Sequence, residues 1–203
     1  SAVLALSFFA AVCERDTPGP RVLRAVPPVG VARVRAFLLF SGAANGLAWT
    51  SVVSAFTLGL GWVWRNNHGG YAEIESLQNM LTFCAGLLLY FYVYAVAGQL
   101  VRRVWLNWLP SKWTWAVSTI LLGLGIMLPV LFGFFFYYGG AWWKWDKTGL
   151  FIGNPFVFGG STHDKYYAGF ALTFAAIVTL LNAPWLQERW EAFQPPAGVE
   201  VNL

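Results

Sequence analysis

The sequence predicts an all-α fold, a polytopic transmembrane helix bundle of four complete spans plus a truncated N-terminal span, and three observations predict it. Apolar residues make up 58% of the 203 residues and charged residues only 11%, against about 25% charged in a typical soluble domain. So few charges cannot cover the surface of a water-soluble fold of this size, and lipid is the solvent that fits. The apolar residues also gather into four long runs, roughly 36–64, 74–100, 113–138 and 168–186. None contains Asp, Lys or Arg, and Glu75 sits only at the edge of the second. Each is long enough to cross a hydrocarbon core of about 30 Å at about 1.5 Å per residue. Finally, of the 12 tryptophans all but Trp49 fall at or near the ends of these runs, where amphipathic indoles meet the membrane–water boundary.

The elements follow in order. The apolar piece 2–13 is too short to cross, and with no basic segment before it does not read as a signal peptide. It reads as a span whose beginning is missing, so that the sequence is the C-terminal piece of a larger membrane protein. A surface-lying amphipathic helix is the alternative, but 2–12 is apolar all round. The connector 14–35 carries Pro18, Pro20, Pro27 and Pro28, which break helices and favour extended backbone. The first complete span follows, then NNHGGY (66–71), a turn-rich connector. After the second span, LPSK (109–112) is a tight turn whose Ser can cap the next helix. The third span contains Pro129, which removes a backbone bond and should kink it; the kink is a hinge or, the reading adopted, a fixed packing feature. The loop 139–166 is rich in Gly and aromatics, so part of it lies on or dips into the interface. Beyond the last span, the tail 187–203 holds Pro195 and Pro196 and is expected to be loosely ordered. The whole chain, 1–203, reads as one transmembrane domain.

Nine of the thirteen Lys and Arg fall on one side of this map. Arg15, Arg21, Arg24, Arg33 and Arg35 lie in the first connector, Arg102, Arg103 and Lys112 in the third, and Arg189 in the tail. Positive charge collects on the cytoplasmic side, so that side and the C-terminus are expected to be cytoplasmic, in a bacterial cytoplasmic membrane. The net charge of +4 then reflects topology and not nucleic-acid binding.

Chemistry is sparse. The span cores hold no ionisable residue, which argues against a proton relay. His68 and His163 are the only histidines and both lie in predicted loops, so no haem ligand sits at membrane depth. Together with Glu73, Glu75 and Asp164 they read as solvated loop groups, with no metal-ligand spacing. No Ser/His/Asp arrangement occurs in the spans, and no phosphate-binding loop occurs. No cofactor and no metal are implied, and any ATP hydrolysis would belong to a partner chain. The polar residues of the first span are uncharged. Ser41 and Asn45 share a face one turn apart, with Gly42 and Gly46 beside them. Such residues bond between helices, and the Gly42-x-x-x-Gly46 spacing lets a second helix approach closely. Helix packing is the reading adopted, with a substrate contact as the alternative.

Four phrases in chain order resemble the membrane-spanning permease subunit of an ABC transporter, of the exporter type. They are ERDTPGPRVLRAVPP leading into VRAFLLFSGAANGLAW, the proline-containing LGLGIMLPVLFGFF, the GNPF of the aromatic loop, and LLNAPWL before a short tail. The resemblance is one of layout and covers almost the whole chain. It implies a pathway formed with a second permease copy or half, and a cytoplasmic ATPase subunit docking on inner loops. Arg15, Arg21, Arg24 and Arg33 are the positions best placed for docking, although positive-inside topology alone also accounts for them. It further implies short re-entrant helices in the 139–166 loop. The competing reading is a non-catalytic scaffold or assembly subunit of a larger membrane complex.

Overall fold

The computed structural model describes residues 2–14, 19–24, 26–27, 30–40, 42–68, 71–136, 153–157 and 164–194. Seven α-helices occur among them, α1 (Ala2–Ala11), α2 (Pro20–Arg24), α3 (Gly30–Leu39), α4 (Ala43–His68), α5 (Tyr71–Val104), α6 (Thr114–Phe136) and α7 (Asp164–Ala192), with no strand among the described residues. Four of them, α4 to α7, are long and apolar enough to cross a membrane. Large apolar side chains remain exposed along them, such as Phe56 and Leu60 on α4, Ile120 and Leu128 on α6 and Leu172 and Leu180 on α7. A surface of that kind in water would drive association; hydrocarbon chains cover it in a bilayer.

The bundle is organised around α5. Half of its most apolar stretch is buried, against 17% for α4 and α6 and 28% for α7. It packs against α1, α4, α6 and α7. The pairings fix the directions. Gly61 meets Leu81 and Arg65 bonds Gln78, so α4 and α5 are antiparallel. Gly98 meets Ser118 and Tyr94 meets Gly125, so α5 and α6 are antiparallel as well. Tyr92 bonds Thr179, Asn182 bonds the Val96 carbonyl and the Arg103 guanidinium lies over the Trp185 ring, so α5 and α7 run the same way. The four long helices therefore alternate in direction. One end of the bundle gathers Arg33, Arg102, Arg103 and Arg189, and is called the basic end below.

Three sequence expectations need correction. The first complete span, 36–64, is two helices. Residues 36–39 belong to α3, Phe40 and Gly42 are not helical, and α4 begins at Ala43. The physical reason lies in the stretch itself: Gly42 adopts φ 155°, which is not helical, and its carbonyl accepts the Gly46 N–H at 2.7 Å as the start of α4. The NNHGGY connector is shorter than expected, because Asn66–His68 continue α4 and Tyr71 opens α5. The tail is not loose from Gln187 onward. α7 runs to Ala192 and Phe193 is 1% exposed. Three aromatic contacts hold that end: Phe37 stands edge-on to Trp190 and to Phe193, and Phe40 lies tilted against Phe193. Arg33 adds donors to the Trp190 carbonyl at 2.7 Å and the Phe193 carbonyl at 2.9 Å, satisfying acceptors that a helix end leaves unpaired.

α1 is a packed element and no surface-lying helix. Phe8 stands edge-on to Tyr92 and Phe9 lies against Phe91. The helix is apolar but for Ser7, whose hydroxyl donates to the Val3 carbonyl, and it packs against α4, α5 and α6. α6 continues through Pro129. Of the expected 139–166 loop, residues 164–166 belong to α7, and the described segment 153–157 holds a 3-10 turn, Pro155–Val157, packed on α5. The Tyr94 hydroxyl donates to the Gly153 carbonyl at 2.6 Å, about 15 Å along the axis from the basic end of α5. The loop thus reaches well into the depth of the bundle. Non-helical backbone is tolerated at such depth only where protein surrounds it, and Pro155 is fully buried.

Close approach of α5 and α6 depends on Gly98. A Cβ there would collide with Ser118 Oγ and lie 3.0 Å from its Cα. Gly98→Ala should lower stability by about 1–3 kcal/mol through overpacking. Gly123→Ala, where a Cβ meets nothing within 4 Å, should be neutral or stabilising by up to about 1 kcal/mol. Thermal unfolding in a mild detergent compares the two; equal effects would mean that the α5–α6 contact is not this tight.

Candidate functional site: a seam and a cavity at the start of α4

The stretch Gly42–Ser51 faces two different surroundings. On one side Gly46 meets α1. A Cβ at Gly46 would lie 2.9 Å from the Ala11 Cβ and 3.3 Å from its Cα. This is a close helix contact made by one glycine, since Gly42 precedes α4. Gly42 acts differently. Its N–H donates to the Glu14 carboxylate, which places an anion at the N-terminus of α4, where the helix dipole favours it. The end of α1 is thereby tied to the start of α4 twice, by packing and by charge. Asn45 is buried, and its Nδ2 donates to the Phe37 carbonyl at 2.6 Å. It bridges the break between α3 and α4 and satisfies an acceptor at the end of α3. Ser41 lies outside the described residues.

The opposite side of α4 presents Ala44, Leu47, Ala48 and Ser51, a spacing of i, i+3, i+4, i+7 that makes one helix face. This face bounds a cavity of about 190 Å³. Tyr92 and Val96 of α5 form its back, and Asn182, Trp185 and Leu186 of α7 its far wall. Phe37 and Trp190 close it toward the basic end. α4 and α7 thus flank α5 with the cavity between them.

The polar atoms around this space are few and uncharged. Ser51 Oγ donates to the Leu47 carbonyl at 2.8 Å, and the Tyr92 and Thr179 hydroxyls pair at 2.7 Å. Asn182 is completely buried; its Nδ2 donates to the Val178 carbonyl at 2.9 Å and to the Val96 carbonyl at 3.4 Å. Its Oδ1 and the Trp185 Nε1 find no hydrogen-bond partner among the described residues. No Lys, Arg, Asp or Glu lines the cavity, so it offers neither an ion site nor an acid–base pair. Among the described residues no group of three or more His, Cys, Asp or Glu is placed to hold a metal. His163, and the side chains of His68, Glu73, Glu75 and Asp164, fall outside the described residues.

The other sequence candidates are distributed. Pro129 lies in α6, away from the cavity. Arg21 and Arg24 lie on α2, both exposed. The Arg33 guanidinium is held by the α7 terminus, 4.3 Å above the Trp190 ring. Arg15 lies outside the described residues. Sequence reasoning passed over Glu14, Asn182 and Trp185. Asn182 carried a signal, a lone amide inside LLNAPWL two residues before Pro184, which sits within α7 and deprives the Leu180 carbonyl of its helical donor.

Scanned against family models, curated proteins and solved structures, the chain finds no match in any of the three.

Beside the seam, burial pushes the Cys13 thiol above its ordinary value; the backbone of Trp115 opposes this and the Glu14 carboxylate adds to it. The thiol also donates to the Phe9 carbonyl at 3.0 Å. Little thiolate is therefore present near neutral pH, and alkylation is slow. Gly46→Leu should push α1 away and expose this thiol, raising its maleimide labelling rate several-fold at pH 7 in a Cys84→Ser background. Gly59→Leu, where a side chain meets open space, should leave the rate unchanged. If Gly46→Leu behaves like Gly59→Leu, the seam is not formed in this way.

Proposed function

We propose that this chain is the permease part of an ATP-driven, exporter-type transporter. In this reading it sits in a bacterial cytoplasmic membrane with its basic end and C-terminus cytoplasmic. It works with a second permease copy or half, and a separate ATPase subunit hydrolyses ATP. The observation that supports the reading is the cavity between α4 and α7 near the basic end, bounded by three of the four long helices. A permease needs a space between spans that is reachable from one side and able to change shape. The Gly46–Ala11 contact borders the same stretch of α4, so movement of α1 would be felt at the cavity wall. The neutral lining suits binding and release of a substrate better than bond-making chemistry, which favours a non-enzymatic role for the chain. Arg21 and Arg24 are the positions on α2 for ATPase docking, while Arg33 serves the chain's own α7.

One observation favours the alternative of a scaffold subunit: the broad exposed apolar faces of α4 and α6, which other subunits could cover instead of lipid. Photoreactive residues separate the two readings when placed at Arg21 and Arg24 on α2 and at Phe56 and Leu128 on the apolar faces. The permease reading expects the α2 positions to cross-link, in native membranes, to an ATPase with a phosphate-binding loop, identified by mass spectrometry. Cross-links from Phe56 and Leu128 to unrelated membrane subunits, with no such ATPase at α2, would overturn it in favour of the scaffold.

A further inference from the structure

We infer that the cavity between α4 and α7 binds an uncharged amphiphile: a short aliphatic or monocyclic apolar body carrying one hydroxyl. The inference rests on reading the cavity as part of a substrate pathway, and names the substrate class for it.

Three features of the space select this chemistry. The first is size. An aliphatic-lined cavity of about 150 Å³ takes a benzene ring, so about 190 Å³ takes a body of that order with one small substituent. The second is the absence of charge. With no cation or anion in the lining, a phosphate, carboxylate or ammonium would be buried without a partner, which is unfavourable in a low-dielectric setting. The third is the pair of unsatisfied atoms on α7. Asn182 Oδ1 is an acceptor and Trp185 Nε1–H is a donor, both buried and without partners among the described residues. They belong to residues that line the cavity, at i and i+3 on one helix face. Both residues are fully buried, so a ligand reaches these atoms only by turning the two side chains toward the space, which for Asn182 exchanges its bonds to the Val178 and Val96 carbonyls for one to the ligand.

Water could pair the same donor and acceptor, but it leaves the apolar walls of Ala44, Leu47, Val96 and Leu186 uncovered. A saturated hydrocarbon fills the volume but leaves both polar atoms unpaired. A hydroxyl on an apolar body donates to Asn182, accepts from Trp185 and covers the apolar walls at once. One bound group then satisfies a donor and an acceptor that the fold leaves open.

Photolabelling tests this in the full chain reconstituted in nanodiscs, with a diazirine-bearing hexanol and its matched hydrocarbon as probes. The alcohol should label the residues around Leu47, Ser51 and Leu186 about five- to tenfold more than the hydrocarbon does, the ratio expected for one net hydrogen bond. Asn182→Leu should erase that preference. Ala48→Leu, which fills the space without removing a polar atom, should lower labelling by both probes. Equal labelling by the two probes in the unmodified chain would mean that the cavity holds only a lipid chain, and would overturn the inference. A preference that survives Asn182→Leu, or labelling confined to other lipid-facing positions, would overturn it as well. The assay needs neither ATP nor a partner. A positive result without any ATPase partner removes the transporter reading and leaves the site, whereas a negative result beside a confirmed ATPase removes only the ligand class.

Discussion

Everything in this bundle depends on how closely other helices can approach α5. Between helices in lipid there is no hydrophobic driving force, because hydrocarbon tails are as apolar as leucine. Association must come from dispersion contacts at short range and from hydrogen bonds that lipid cannot supply. α5 provides both. Gly98 admits Ser118 of α6, the Val96 carbonyl accepts from Asn182 of α7, and the Tyr92 hydroxyl pairs with Thr179. Tyr94 reaches the Gly153 carbonyl and so fixes the inserted turn against the same helix. The aromatic side chains of α1 lie on Phe91 and Tyr92. Four helices and one loop thus share a single post.

A shared post has a geometric consequence. Helices that pack on opposite flanks of one helix need not meet each other, and the space between them is left to side chains. Between α4 and α7 those side chains are small on one wall, Ala44 and Ala48, and large on the other, Trp185 and Leu186. The mismatch leaves the cavity. The seam with α1 and the cavity occupy opposite sides of the same two turns of α4. Packing and a substrate contact, which look like rival explanations of one polar stretch, are therefore assigned to different faces of it.

The sequence made the spans legible because 58% apolar composition and runs free of charge leave a helix in lipid as the only backbone solution. The alternation of direction followed from the number of spans. Breaks were less legible. The division between α3 and α4 lies inside a continuous apolar run, and a hydropathy pattern carries no sign of where a glycine leaves the helical region. The Gly42/Gly46 pair suggested a two-glycine groove on one helix, yet Gly42 precedes α4 and bonds Glu14, so within the helix it is Gly46 that lies against α1. Arg33 looked like part of a basic surface; that it caps α7 could be known only once residues 157 and 160 positions away were brought beside it. Asn182 was readable as an amide in a span, but its pairing with Val96 and its place on the cavity wall were set by the α5–α7 register, which no local pattern encodes.

The central claim, that α5 is enclosed by its neighbours near the basic end, is tested most directly by a site-directed spin-label scan in bilayers. Accessibility to dissolved oxygen would be measured from Gly86 to Gln99 on α5 and compared with Val52, Phe56 and Leu60 on α4. Enclosure of α5 predicts low accessibility at every α5 position in that range, below all three α4 positions. A helical repeat of oxygen accessibility along α5 that matches the α4 values would place one of its faces in lipid and contradict the account.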